Sequence, residues 1–264
     1  MAAIDPYAPQ ETKFRREFLI GAAALALPLA VVLVANPGID LAISSAVREA
    51  CALPPRNPGG PWCPTEAVTT ARKAFMAVFL LAACATLIVS IRVVLAQRKW
   101  LGLEQARCAF MIAVLLIGPG VVANLILKDN VGRARPRDVI EFGGTKAFTP
   151  PLVPSRECPR NCSFVSGEAS SMFAVFFALA LLLPQYRLGL LMTGLAAGTL
   201  AGAVRIVQGA HFLSDVLFAG LFMALTVSVL HIAFIGLWRD PRRTWSAVAA
   251  PFMPVMRLAA ERMR

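Results

Sequence analysis

The chain has 264 residues, of which 58% are hydrophobic and only 16% charged, whereas a soluble domain carries about a quarter charged residues. The formal net charge is +11, but the Lys and Arg residues are scattered between apolar stretches and form no continuous basic stripe, which argues against a nucleic-acid partner. The apolar excess falls in long blocks, the mark of a protein whose partner is the lipid bilayer.

In chain order, six blocks reach or approach the roughly 20 apolar residues a spanning helix needs. They cover residues 18–35, 74–96, 108–127, 166–183, 188–206 and 214–237. The predicted fold class is therefore all-α, a six-transmembrane-helix bundle in a single membrane-embedded domain (1–264). Its motif-bearing core is 106–237, and 238–264 is a basic tail. Arg15-Arg16-Glu17-Phe18-Leu19 looks like a twin-arginine export signal, but five further spans follow and no small-x-small cleavage site ends the first, so a membrane anchor is favoured.

With the N-terminus inside, fourteen of the 26 Lys and Arg residues fall on the cytoplasmic side and twelve outside. Both termini are then cytoplasmic. The margin is small, but several outer cations have another task, as follows. In the tail after Trp238, Trp245, Phe252, Met253, Met256 and Leu258 lie among arginines. An interfacial helix and a loose surface-bound tail fit equally, because Pro251 and Pro254 interrupt the pattern. Cys51, Cys63, Cys158 and Cys162 lie in two outer loops, 36–72 and 128–165. Of three possible pairings, Cys51–Cys63 and Cys158–Cys162 bridges are expected in an oxidising compartment. Four free thiols are the alternative.

Three polar clusters stand at the outer span ends. Lys128 to Arg137 follows the third span, Ser163 to Ser170 opens the fourth, and Arg205 to Asp215 joins the fifth to the sixth. Together they make an anion site. Arg133, Arg135 and Arg205 offer planar forks for phosphate oxygens, and Lys128 a point charge. Ser166 and Gly167 at a helix start offer backbone N–H groups and the positive dipole end. Gly167 also permits close approach of a ligand. His211 and Asp215 are four apart, which puts them on one helical face. A carboxylate bonded to one imidazole nitrogen would fix the tautomer and leave the other free to attack phosphorus. Such phosphoryl transfer rests on positioning and charge neutralisation, with no metal or cofactor required. Taken singly, each cluster has a bland reading as an interfacial anchor, a structural His or a helix cap. Their convergence on one face favours the site. His231, well inside the sixth span, reads as structural.

These residues resemble the phosphatidic acid phosphatase type 2 superfamily, whose motifs are K-x6-R-P, P-S-G-H and S-R-x5-H-x3-D. Lys128 is followed by six residues and Arg135-Pro136. Arg205 is followed by five residues, His211, three residues and Asp215, with Val204 in place of the usual Ser. The resemblance implies a membrane lipid phosphatase; the topology puts its site on the outer face, and the expected disulfides with a lipid A substrate make that the periplasmic face of a bacterial inner membrane. His211 would be the nucleophile, Asp215 its orienting partner, Lys128, Arg135 and Arg205 the phosphate ligands, and Ser166 and Gly167 the phosphate loop.

The second motif departs from the family, because Glu168 stands where the family has its acid-donating His. Clustered arginines favour an ionised Glu168, so it donates a proton only if desolvated. Otherwise the leaving group needs little help, or Glu168 contacts a cationic part of the substrate, or phosphate is bound without turnover. Lipid A is the favoured substrate, with undecaprenyl diphosphate, phosphatidylglycerophosphate and phosphatidic acid as further candidates. A phosphotransferase and a non-catalytic phospholipid-binding relic are the rival functions. Oligomeric state is not legible.

Overall fold

The computed structural model describes residues 8–51, 60–96 and 105–236. The tail at 238–264 lies outside the described residues. The described part is all-helical, with only one isolated β-bridge, Val139 to Lys146. Helix α1 (Ala8–Ala35) is followed by the short α2 (Gly38–Ala50) and the long α3 (Glu66–Ala96). Helix α4 (Gln105–Leu115) continues as a π-helical segment (Leu116–Lys128) and a single turn, α5 (Asp129–Val131). After a long irregular loop come α6 (Gly167–Leu182), α7 (Arg187–Val207) and α8 (Leu213–His231). The π-helical widening contains Pro119, which lacks the N–H that a regular turn would use.

All six apolar blocks are helical, but five of the helices are long and apolar enough to cross a membrane: Glu11–Ala35, Glu66–Ala96, Gln105–Asp138, Pro184–Val207 and Leu213–Gly236. The block expected at 166–183 forms the 16-residue α6. At 1.5 Å per residue that is about 24 Å, short of a hydrocarbon core about 30 Å thick. Its position explains its character. It packs against α1, α3, α4, α7 and α8, and most of its side chains are buried. A helix surrounded by other helices is apolar all round. Gly194, Gly198 and Gly202 form a row on α7. A Cβ at Gly198 would stand 2.4 Å from the Phe173 ring of α6, and one at Gly202 2.3 Å from Val216 of α8, so the row lets α7 approach both helices closely, as small residues do in membrane bundles.

Loop 36–72 is not irregular throughout, because α2 occupies Gly38–Ala50. Ile39, Ile43 and Val47, spaced by four, turn one face of α2 to the core, and its polar remainder kept it out of the apolar blocks. Above the bundle, Trp62, Ala134, Val139, Phe142 and Phe212 form a second small core. Cys51–Cys63 and Cys158–Cys162 are bridged as expected, with Cα–Cα separations of 5.5 and 5.6 Å. At the opposite end His231 is buried, with Nε2 2.7 Å from Glu11 Oε1, and its ring stands edge-on to Phe110.

Candidate functional site

The three clusters meet because the loop after α5 folds back on the helix ends. Gly132 has a left-handed conformation (φ +69°), and a Cβ there would lie 1.9 Å from the Ser155 carbonyl. Only glycine tolerates both. The fold-back is held by Ser155 N–H to Val131 O (2.7 Å) and Cys158 N–H to Gly132 O (3.0 Å). Arg137 N–H then donates to Gly209 O (3.0 Å), Ser163 N–H to Arg133 O (2.9 Å) and Ser166 N–H to Asp215 O (3.2 Å). These bonds tie the loop to the α7–α8 turn and the start of α6.

Beside them opens a cavity of about 550 Å³ lined by Arg72, Lys128, Arg135, Arg137 and Arg205, with Glu168 the one acidic lining residue among the described residues. Arg135 Nη2 donates to Asn161 O (2.7 Å), and Arg205 Nη1 to the Gln208 side-chain oxygen. Glu168 Oε1 accepts from Arg72 Nε at 3.1 Å and lies 3.3 Å from Arg205 Nε. Ser166 precedes the first residue of α6, and its hydroxyl, buried, has no hydrogen-bond partner. A Cβ on Gly167 would stand 3.1 Å from Lys128 Nζ and 3.3 Å from Asn124 Oδ1. Gly167→Ala is therefore expected to displace the lysine head. Affinity for orthophosphate should fall about tenfold, the scale of one charge-assisted hydrogen bond, with the thermal unfolding midpoint unchanged. Isothermal calorimetry and a melting curve measure both.

His211 is completely buried between α7 and α8. Its Nδ1 lies 2.6 Å from Ser163 O, a partner that can only accept, so Nδ1 carries the proton. Nε2 is the unprotonated nitrogen, and it is buried with no hydrogen-bond partner. Burial pushes the imidazole pKa down to about 4, against an opposing pull from Asp215. The expected direct bond to Asp215 is absent, because Nδ1 is 3.6 Å from Oδ2. Asp215 Oδ2 instead accepts from the Ser163 hydroxyl (2.5 Å) and the Phe212 N–H (2.8 Å). The carboxylate thus acts one residue removed, by fixing the segment whose carbonyl holds the imidazole.

Arg133 corrects the sequence expectation of a phosphate ligand, because its guanidinium is occupied by buried protein partners; like Ser166, His211 and Asp215, it is not among the cavity's lining residues. Its side chain is fully buried. Nη1 donates to Asp215 Oδ1 (2.6 Å) and Ser214 Oγ (2.8 Å), Nη2 to Asp40 Oδ2 (2.8 Å) and Nε to Thr149 O (2.8 Å). The guanidinium also lies 4.3 Å from the Phe212 ring centre. It is a buried counter-ion for two carboxylates. Sequence reasoning missed Asp40, Arg72, Arg137 and Gln208. The sequence did show Arg72 and Arg137 as cations at outer span ends, whereas nothing local marked Asp40.

A buried histidine with an unpartnered Nε2 and a cation-lined cavity thus stand at one end of a bundle of apolar helices, and residues 106–239 match the model of the PAP2 superfamily. The chain belongs to that superfamily. Among curated proteins it is similar to the lipid A 4'-phosphatase of Francisella tularensis subsp. novicida, 42% identical over 131 residues that cover 49% of this chain and 59% of that protein. The lipid A 4'-phosphatase of Rhizobium etli is 40% identical over 129 residues, covering 46% and 50%. A lipid A 1-phosphatase of the same organism is 38% identical over 114 residues, covering 42% and 45%. The chain thus spans about half the length of the curated relatives it matches. No solved structure matches.

Proposed function

We propose that the protein is a membrane lipid phosphatase that acts through a phosphohistidine at His211, with lipid A as the favoured substrate. The observation that carries this reading is the neutral, unpartnered Nε2 of His211, whose electrostatic neighbours Lys128 and Glu168 line a cavity that also holds four arginines. Nε2 attacks phosphorus, the bond to the lipid oxygen breaks, and water then releases phosphate from the histidine. Lys128, Arg135 and Arg205 neutralise the charge on the transferring group, so the step needs no metal. Asp215 positions the imidazole through Ser163. Glu168 bridges two guanidiniums and serves as their counter-ion rather than as an acid, so the leaving oxygen takes its proton from water entering the cavity. The names of the relatives support lipid A as the substrate. The single domain spans the bacterial inner membrane six times, α6 completing the five long helices. The termini are cytoplasmic and the site faces the periplasm, an oxidising compartment that suits the two disulfides.

Phosphate release from lipid A by the purified protein, measured from pH 3 to 9, tests this reading. The folded-state pKa of His211, about 4, lies below the ordinary 6.5, so the folded protein disfavours the proton and the free base predominates above pH 4. The acid limb of kcat/KM, which reports the free enzyme, should fall near pH 4 and not near 6.5. By the same sign, His211 contributes stability that is full above pH 6.5 and is lost as pH falls through the window from 6.5 to 4. Absence of release across the whole range would sink the hydrolase reading for lipid A.

A further inference from the structure

Helix α3 lies before the segment that matches the family model, yet it builds one wall of the cavity. Arg72, Phe75, Met76, Phe79 and Leu80 all line it. Spacings of 3, 4, 7 and 8 residues place them on one face of the helix. The face has a cation at its outer end and an apolar stripe below, the order in which a lipid presents headgroup and chains. Most of α3 is unburied by protein, so this wall is a single helix between cavity and bilayer.

The charge in the cavity exceeds what one phosphate needs. Five cations line it against one carboxylate, a surplus of four. A phosphate monoester brings a charge of about −1.5 to −2, which leaves about two positive charges unmatched. Lys128, Arg135 and Arg205 already make up the phosphate set proposed above. Both remaining cations have a carboxylate within 4 Å, Arg137 Nε at 3.9 Å from Asp138 Oδ1 and Arg72 Nε nearer to Glu168, and Arg72 is singled out because it alone stands on α3 at the head of the apolar stripe. The side chain of Arg72 is 41% exposed at the cavity rim, and its Nε is held by Glu168 at 3.1 Å. Because Arg205 Nε approaches the same Glu168 oxygen at 3.3 Å, Glu168 fixes Arg72 beside the phosphate set.

We propose that Arg72 is a specificity-determining residue that binds a second anionic group of the lipid headgroup, with Glu168 as its positioning residue. The substrate class is then a lipid whose headgroup carries two anionic groups close together. The proposal deepens the phosphatase reading and rests on it for a lipid phosphate substrate, not for lipid A in particular, and its test is made without turnover.

Calorimetry on the full-length protein in detergent would compare methylphosphonate, with one anionic group, and methylenediphosphonate, with two. Neither is hydrolysed. The wild type should bind methylenediphosphonate about tenfold more tightly, the scale of one added charge-assisted contact. Arg72→Gln should remove that preference while leaving methylphosphonate affinity within about threefold, a change expected of a rim charge that has lost only long-range attraction. Arg72→Lys, which keeps the charge without the fork, should retain part of the preference. Glu168→Gln should reduce it, because Arg72 is no longer held. Equal weakening of both probes in Arg72→Gln would mark Arg72 as a general or structural contributor and overturn the proposal, as would a wild type without preference. If the preference holds but no lipid releases phosphate, the phosphatase reading fails and this one stands.

Discussion

His211→Ala is expected to abolish phosphate release, by at least about four orders of magnitude, the scale on which removal of a catalytic nucleophile is felt. The loss should appear in kcat, because the cavity cations proposed to bind the phosphate remain. His211→Asn separates chemistry from packing, since its amide can still donate toward the Ser163 carbonyl that now holds Nδ1. It should be as inactive as the alanine variant while unfolding like the wild type. Brief incubation with phosphate-labelled lipid A, quenched in alkali, should leave acid-labile label on the wild-type chain and none on either variant. Substantial turnover in both variants would remove His211 from the reaction and end the phosphohistidine reading, whatever the substrate.

Arg133→Met is expected to destabilise the protein by about 3–5 kcal/mol, the cost of breaking a buried ion pair from one side. Methionine approximates the volume of the stem but leaves Asp40 and Asp215, both fully or almost fully buried, with no counter-ion. The Ser214 hydroxyl and the Thr149 carbonyl lose a partner in the same stroke. Activity should fall as a consequence, since Asp215 also holds the Ser163 segment against His211. Arg135→Met provides the contrast. Arg135 lines the cavity and gives up one bond to a loop carbonyl, so phosphate affinity should drop with little change in melting. Melting curves in detergent and orthophosphate calorimetry on both variants decide the matter. If Arg133→Met melts like the wild type but no longer binds phosphate, Arg133 is a ligand after all, as its sequence position implied.

Arg133 and Arg135 also mark where the sequence stops being informative. They flank Ala134, carry the same charge and follow the same span, and from sequence both read as phosphate ligands. In the fold one turns beneath the loop into a carboxylate pair and the other faces the cavity. Which way each points depends on how the 132–163 loop folds back over the helix ends. That in turn depends on contacts with Gly209 and Asp215, which are distant in the chain. Asp40 illustrates the same limit, because its partner Arg133 is 93 residues away and nothing near residue 40 marks it as buried. Arg72 and Glu168 are 96 apart.

The helical class, the position of every apolar block and the spacing of the three clusters were determined by the sequence alone. These are local properties: apolar length sets what can enter a bilayer, and periodicity sets which residues share a helix face. The cysteine pairs were legible too, because they lie in two polar loops placed on the same outer side. Only the tertiary structure decided that α6 is short and enclosed, that residues 38–50 form a helix, and that Asp215 bonds to Ser163, whose carbonyl lies against His211 Nδ1. It also decided which cations are left for a ligand. A side chain's charge is fixed by its residue type, but its counter-ion is chosen by long-range packing, and in a buried site that choice separates a structural arginine from a binding one.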